Sequence, residues 1–166
     1  PDTKVLNLFA YTGGASLAAR AAGADTTHVD SVRKVVDWGR RNMEASGLDG
    51  IRWVVEDAAT FVHREVKRGK TYHGILLDPP AYGRGPDGEK WVLEEDIDGL
   101  LRDCAALLAP GGFLALNLYS MGLDLDAILP RLTRTQATYA VTGLALALVL
   151  WAVGYKRPSP AGRFAA

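Results

Sequence analysis

The stretch Val5-Leu6-Asn7-Leu8-Phe9-Ala10-Tyr11-Thr12-Gly13-Gly14-Ala15-Ser16 decides how this chain folds. Its first five residues are an apolar run of strand length, and the paired glycines allow a tight turn with close backbone approach before a helix begins. A strand that enters a helix through a glycine turn opens a βα unit.

The same rhythm continues downstream. Further apolar runs are Thr27-His28-Val29, Ile51-Arg52-Trp53-Val54-Val55, Gly74-Ile75-Leu76-Leu77 and Phe113-Leu114-Ala115-Leu116-Asn117-Leu118, which makes five expected strands. Between them apolar residues recur at helical spacing: Val32, Val35, Val36 and Met43, then Phe61, Val62 and Val66. Ile97, Leu100, Leu101, Cys104, Leu107 and Leu108 form a third stripe, closed by Pro110-Gly111-Gly112. This alternation predicts an α/β domain, a mostly parallel sheet with helices on both faces. A helix from about Leu123 to Leu132 and a sixth strand from about Tyr139 extend the pattern. The apolar stretch Val141 to Val153, interrupted by Thr142 and Gly143, falls short of the roughly 20 residues of a bilayer helix and reads as a strand pair or a core helix.

A chain of 166 residues, 48% apolar, can bury one substantial core but not two, so residues 1–166 are expected to form a single domain. No repeat, linker or low-complexity segment marks a boundary. Lys plus Arg and Asp plus Glu both total 19, so no overall positive field exists to hold a polyanion. Nucleic-acid binding then requires a local patch or a partner domain. The lone Cys104 excludes a disulfide framework and a cysteine-based zinc cluster, and no metal site is expected. Its place in an apolar helix stripe makes it a core residue rather than a catalytic thiol. The start Pro1-Asp2-Thr3-Lys4 lacks the basic segment and cleavage site of a signal peptide, and a reducing cytoplasmic compartment is expected.

Ligands of open parallel sheets sit outside the carboxyl ends of the strands, and this sequence places polar residues at almost every such end. The first strand is followed by Gly13-Gly14, which is a ligand cradle or simply a turn; it is not the G-x-G-x-x-G dinucleotide fingerprint. The second ends in Asp30, suited to accept from both hydroxyls of a ribose or to cap the next helix. The third ends in Glu56-Asp57, where Asp57 is placed to cap a helix, to accept from an adenine amino group, or both. The fourth ends in Asp78-Pro79-Pro80-Ala81-Tyr82-Gly83, the most specific segment. Two prolines remove two N–H donors and stiffen the loop, leaving a shelf rich in carbonyl acceptors, with an aromatic beyond it able to stack on a planar substrate. The bland alternative is a rigid turn with a packed tyrosine. His28, His63 and His73 fall in a strand, on a helix and before a strand, where none is suited to catalysis.

Taken in order, Leu8-Phe9-Ala10-Tyr11-Thr12-Gly13-Gly14, Leu77-Asp78-Pro79-Pro80-Ala81-Tyr82 and Asn117-Leu118-Tyr119-Ser120 resemble the class I S-adenosylmethionine-dependent methyltransferases, in particular the bacterial large-subunit ribosomal RNA methyltransferases. The resemblance runs from about Val5 to Ser120. It implies a Rossmann-like sheet that binds S-adenosylmethionine, with Phe9, Ala10, Tyr11, Thr12, Gly13 and Gly14 around the methionine portion, Asp30 on the ribose and Asp57 on the adenine. It places Asp78, Pro79, Pro80 and Tyr82 on the catalytic side, facing the transferred methyl group and the acceptor.

Two departures qualify the resemblance. Relatives that methylate cytosine at carbon 5 carry a cysteine nucleophile after the fifth strand, where this chain reads Asn117-Leu118-Tyr119-Ser120. Direct methyl transfer without an enzyme-bound intermediate is therefore expected. Relatives also usually carry an N-terminal RNA-binding module, whereas this chain reaches its first strand within a few residues, as an excised catalytic domain does. The resemblance implies RNA as substrate, reached through such a separate domain. Rival readings are a protein or small-molecule acceptor, a non-catalytic cofactor-binding module, and a nicotinamide oxidoreductase, the last disfavoured by the missing glycine fingerprint.

Overall fold

The structure, a computed structural model, describes residues 3–118 and the backbone of the strands at 138–143 and 146–151. In chain order the elements are β1 (Lys4–Leu8), α1 (Gly14–Ala21), β2 (Asp25–Asp30), α2 (Arg33–Ala45), β3 (Arg52–Val55), α3 (Ala58–Lys67), β4 (Tyr72–Leu77), β5 (Tyr82–Arg84), β6 (Lys90–Val92), α4 (Leu93–Leu107), β7 (Leu108–Asn117), β8 (Thr138–Gly143) and β9 (Leu146–Trp151). The main sheet runs β3-β2-β1-β4-β7-β8-β9, and β5 with β6 forms a separate ribbon. Every pairing from β3 through β8 is parallel; β9 returns antiparallel against β8.

All five expected strands form. β7 starts five residues earlier than the apolar run suggests, because Pro110-Gly111-Gly112 is absorbed at an irregular register between Tyr72 and Gly74 of β4. Gly111 takes φ +74 there, which an L side chain rarely adopts. The apolar segment near Val141 is a strand pair, β8 and β9, rather than a helix. The helix expected from about Leu123 to Leu132 lies outside the described residues. Among the described residues no helix is long and apolar enough to cross a membrane.

The two faces of the sheet differ in chemistry because successive strand residues point to opposite sides. Leu6 and Leu8 of β1 join Phe61, Ile75, Leu77, Leu114 and Leu116 under α3 and α4, which contribute Val62, Ile97, Leu100, Leu101, Cys104 and Leu107 to one apolar core. Full burial of an aliphatic or aromatic side chain there stabilises by about 1.5–3 kcal/mol. On the opposite face Asn7 meets α1 through a hydrogen bond from its Nδ2 to Ser16 Oγ, at 2.9 Å, and Gly39 of α2 lies against the Trp53 ring. So α1 and α2 cover one face, α3 and α4 the other.

The order β3-β2-β1-β4 sets the position of the site. The chain moves outward from β1 to β3, then returns to the other side of β1 for β4, so the crossing helices leave opposite faces at that point. A crevice opens there at the carboxyl ends of β1 and β4.

Cys104 is completely buried, and burial with the nearby Asp103 pushes its thiol up, away from thiolate formation. Cys104→Ala is expected to cost about 1 kcal/mol of folding stability as a small cavity, read as a lowered urea midpoint, with no change in cofactor binding. Loss of binding by the folded variant would return the thiol to functional consideration.

Candidate active site

The loop after β1 is built from left-handed residues. Phe9 has φ +52, Tyr11 φ +47 and Gly13 φ +88, alternating with residues on the ordinary side of the backbone map. For bulky side chains this conformation costs roughly 1–2 kcal/mol each and persists only where surroundings enforce it. Here they do. Ala10 N–H donates to the Val29 carbonyl at 3.1 Å, Tyr11 N–H donates to Asp30 Oδ2 at 2.8 Å, and Gly13 N–H donates to the Ala10 carbonyl at 3.0 Å. Gly13 is also closely packed, with a Cβ there 3.2 Å from Leu17 and 3.4 Å from Trp53, and its φ of +88 is one that L side chains rarely adopt.

The result is a helix N-terminus without a side-chain cap. The first N–H groups of α1 have no intrahelical acceptors, and the helix dipole places partial positive charge beside them. Phe9, Ala10, Tyr11, Thr12, Gly13, Gly14 and Ala15 line a cleft of about 380 Å³ whose other wall is Leu76, Leu77, Asp78 and Ala115 to Asn117. That volume is in the range of small-molecule sites.

Asp30 has two roles. Its Oδ2 holds Tyr11 and its Oδ1 accepts from Val32 N–H at 2.9 Å, closing the turn into α2. A carboxylate offers about four acceptor positions, so these two bonds leave lone pairs for a ligand. Asp57 caps α3 by accepting from Thr60 N–H at 2.8 Å, and it is nearly buried at 8% exposure. Its neighbour Glu56 is held by Arg64 in a two-pronged ion pair, which leaves Asp57 as the carboxylate that faces inward. Asp30 and Asp57 meet in a small second recess of about 40 Å³, together with Phe9, Ala58, Pro80, Arg84 and Trp91. Phe9 belongs to both recesses.

The Asp-Pro-Pro segment divides between the two. Asp78 lines the larger cleft, where Asn117 Nδ2 at the end of β7 donates to its Oδ1 at 2.9 Å. Pro79 is buried, and Pro80 lines the smaller recess with Asp30 and Asp57. The carbonyl shelf is narrower than the sequence suggests. Pro80 O accepts the Trp91 indole N–H at 2.7 Å and Ala81 O accepts Leu93 N–H at 3.0 Å, so two of the carbonyls from Asp78 to Ala81 are already taken. Tyr82 starts the β5–β6 ribbon, 73% exposed and paired in register with Val92. It lines neither recess, standing outside both as a rim residue.

Several residues of the site carry no motif. Asn7 is a buried polar residue inside an apolar strand and lines the larger cleft. Asn117, by contrast, opens the Asn117-Leu118-Tyr119-Ser120 segment of the family resemblance. Beneath the loop, Ser16 Oγ lies 3.0 Å from His28 Nδ1, and the His28 ring packs against Trp53 with centroids 4.4 Å apart. Asn42 Nδ2 donates to the Thr12 carbonyl at 3.1 Å, tying α2 to the loop. His28 Nε2 and Trp53 Nε1 are buried without hydrogen-bond partners. Burial pushes the His28 imidazole down to about 4, so the ring is neutral near pH 7. His63 is exposed beside Asp103, and His73 accepts from Lys4 N–H at the far end of the sheet. Neither approaches the cleft.

These features fit S-adenosylmethionine: open helix N–H groups for its amino-acid end, two inward carboxylates for its hydroxyls and amino group, and a wall of Phe9 shared by the two recesses. Comparison with known proteins points the same way. Residues 2–142 match the model of the S-adenosylmethionine-dependent methyltransferase family. A protein of Hahella chejuensis named ribosomal RNA large subunit methyltransferase K/L is 36% identical over 127 residues, 75% of this chain and 17% of that protein. Its namesake from Methylococcus capsulatus is 34% identical over 130 residues, 75% and 18% of the two chains. This chain thus spans about a sixth of the length of those relatives. A crystal structure of a SAM-dependent methyltransferase from Agrobacterium tumefaciens superposes with a TM-score of 0.74 at 35% identity, covering 90% of this chain and 54% of that one. SMU.776, solved in complex with SAH, superposes with a TM-score of 0.60 at 32% identity, covering 66% and 29%.

Two outcomes are expected. Asp30→Ala should weaken S-adenosylmethionine binding by about 1.5–3 kcal/mol in a calorimetric titration, the scale of hydrogen bonds to a charged group; unchanged affinity would remove Asp30 from the site. The neutral burial of His28 makes folding pH-dependent. Its folded value of about 4 lies below the ordinary 6.5, so the unfolded chain binds more protons between those values and stability falls as pH drops. From pH 7 to pH 5 the loss should be about 2 kcal/mol in urea denaturation. His28→Gln should flatten that dependence, and an equally steep variant would place the titration elsewhere.

Proposed function

Because the chain belongs to the S-adenosylmethionine-dependent methyltransferase family, we propose that it transfers a methyl group directly to a base of ribosomal RNA, and that its cleft is divided between a cofactor half and an acceptor half. The observation that carries this reading is the convergence, in one cleft, of the glycine loop after β1 with Asp78 after β4 and Asn117 after β7. The names of the relatives from Hahella chejuensis and Methylococcus capsulatus support RNA as the acceptor.

Phe9 to Gly14 surround the methionine portion, Asp30 accepts from the ribose and Asp57 from the adenine. When bound, the cofactor supplies its methyl group as an activated electrophile on a sulfonium. The protein therefore has modest acid–base work and mainly needs to align the two reactants, which can supply roughly 7–11 kcal/mol of barrier reduction at about 3–3.5 Å separation. Asp78 is placed for this. Asn117 fixes one of its oxygens, which leaves the other to accept from an N–H of the target in the cleft. Where the attacking atom carries a proton, the Asp78 carboxylate is the group at hand to receive it. Tyr82, exposed on the rim, offers a stacking surface to an incoming base. No cysteine enters this scheme, in keeping with the burial of Cys104.

The balanced charge of 19 cationic and 19 anionic side chains gives no polyanion field, so RNA affinity is assigned to a separate RNA-binding domain in the cytoplasmic protein. Incubating large-subunit RNA with the protein and isotopically labelled S-adenosylmethionine, then digesting it for mass spectrometry, tests the acceptor. A labelled nucleoside supports the proposal; label confined to protein or small metabolites overturns it.

The two halves of the cleft should separate kinetically. Asp78→Ala is expected to lower kcat at least tenfold with little change in cofactor affinity, the pattern of an interaction realised mostly in the transition state. Tyr82→Ala should instead raise KM for RNA, because stacking worth about 1–3 kcal/mol favours ground and transition states alike. Loss of cofactor affinity alone in both variants would move this turn out of the acceptor half.

A further inference from the structure

The smaller recess is backed by a side chain to which no motif assigns a role. Trp91 lies on β6, 4% exposed, at the base of the β5–β6 ribbon. Its indole N–H donates to the Pro80 carbonyl at 2.7 Å, and its ring packs against Phe9 with centroids 5.0 Å apart and planes tilted by 52°. The first contact holds the turn that follows Asp78. The second holds a residue of the cofactor loop that sits at φ +52, outside the usual range for a bulky side chain. Gly83 is the register partner of Trp91 across the ribbon.

We propose that Trp91 is a positioning residue that sets the distance between the cofactor loop and the acceptor turn. The proposal rests on the assignment of the Asp78 turn to the acceptor half. Alignment is sensitive to small displacements, since a shift of about 1 Å can cost roughly a hundredfold in rate. The indole is suited to the task because its ring and its N–H act on different partners in different directions. Pro80 is itself exposed, so water replaces the N–H when it is removed and the change acts on position more than on folding.

The two contacts can be separated. Trp91→Phe keeps a ring against Phe9 and removes the N–H, whereas Trp91→Leu removes both. S-adenosylhomocysteine affinity, measured by calorimetry, is expected to stay within twofold in Trp91→Phe and to fall several-fold in Trp91→Leu. Methyl transfer to large-subunit RNA at saturating cofactor should fall at least tenfold in both. A merely structural role would move affinity and turnover together, in proportion to the fraction unfolded, and would be relieved by cooling; that result, or normal turnover in folded Trp91→Phe, overturns the proposal. A second measurement does not depend on the acceptor. In a ¹⁵N-labelled protein the indole N–H signal missing from Trp91→Phe should exchange slowly with solvent and shift on addition of S-adenosylhomocysteine, through Phe9. If wild-type protein labels no RNA, the acceptor assignment fails and this signal still decides on Trp91: fast exchange like that of exposed Trp38, or indifference to S-adenosylhomocysteine, overturns the bridge.

Discussion

The hydrogen bond from Tyr11 N–H to Asp30 Oδ2 is the constraint on which the rest of the site depends. The chain must leave β1, reverse its course and enter α1 within five residues, and it does so by placing Phe9, Tyr11 and Gly13 in left-handed conformations. Two of these are aromatic, so the turn stores roughly 1–2 kcal/mol at each. A carboxylate at the end of the neighbouring strand offsets that strain with a charge-assisted bond, and the parallel register of β1 with β2 brings it to the right height, with Leu8 opposite Val29. Fold and site are thus one problem: if β2 slipped by a residue, Asp30 would leave the loop and every strand side chain would change face.

What lies under the loop shows how it is kept rigid. The α3 and α4 face of the sheet is an ordinary apolar core, while the α1 and α2 face carries Asn7, Ser16, His28 and Trp53 directly beneath the glycine turn. Such a layer packs no better than leucine would, and it leaves two polar atoms unpaired at a cost of about 1–3 kcal/mol each. Its advantage is direction. Hydrogen bonds between Asn7, Ser16 and His28 fix rotamers that apolar contacts leave looser, and Trp53 presses against both Gly13 and Gly39, drawing α1 and α2 toward the same point. Strain and unsatisfied groups gathered around one turn mark where stability has been given up for geometry.

The parts of this arrangement that could be read from the sequence are those governed by short-range rules. Strand periodicity locates β1, β2, β3 and β4 within a few residues, and the rule that ligands meet strand carboxyl ends points to Gly13, Asp30, Asp57 and Asp78. Asp57 illustrates why two readings stayed open: it caps α3 and faces the recess at once, and no pattern of letters distinguishes one carboxylate oxygen from the other. The β5–β6 ribbon was not legible, because each strand has three residues and the glycines of its connection look like any loop. Trp91 was hidden with it. Its partners Pro80 and Phe9 lie 11 and 82 residues away in the chain, and hydrophobic periodicity carries no information about such contacts. For the same reason the sequence does not show where Tyr82 stands: pairing with Val92 places it on the exposed rim, lining neither recess.

That ribbon also changes what the acceptor half can recognise. By its sequence an Asp-Pro-Pro-Ala turn offers four carbonyls and a carboxylate to a ligand, but Trp91 takes one carbonyl and Leu93 N–H another. Asn117 takes one oxygen of Asp78. On the proposed assignment of this turn to the acceptor half, the few acceptors that remain favour a target that presents an N–H beside the Asp78 carboxylate over groups that only accept hydrogen bonds. A site that rejects ligands by leaving its own polar groups unsatisfied discriminates more strongly than one that relies on shape. On the proposed assignment, the ribbon contributes to specificity without touching the substrate, by deciding which backbone oxygens remain for it.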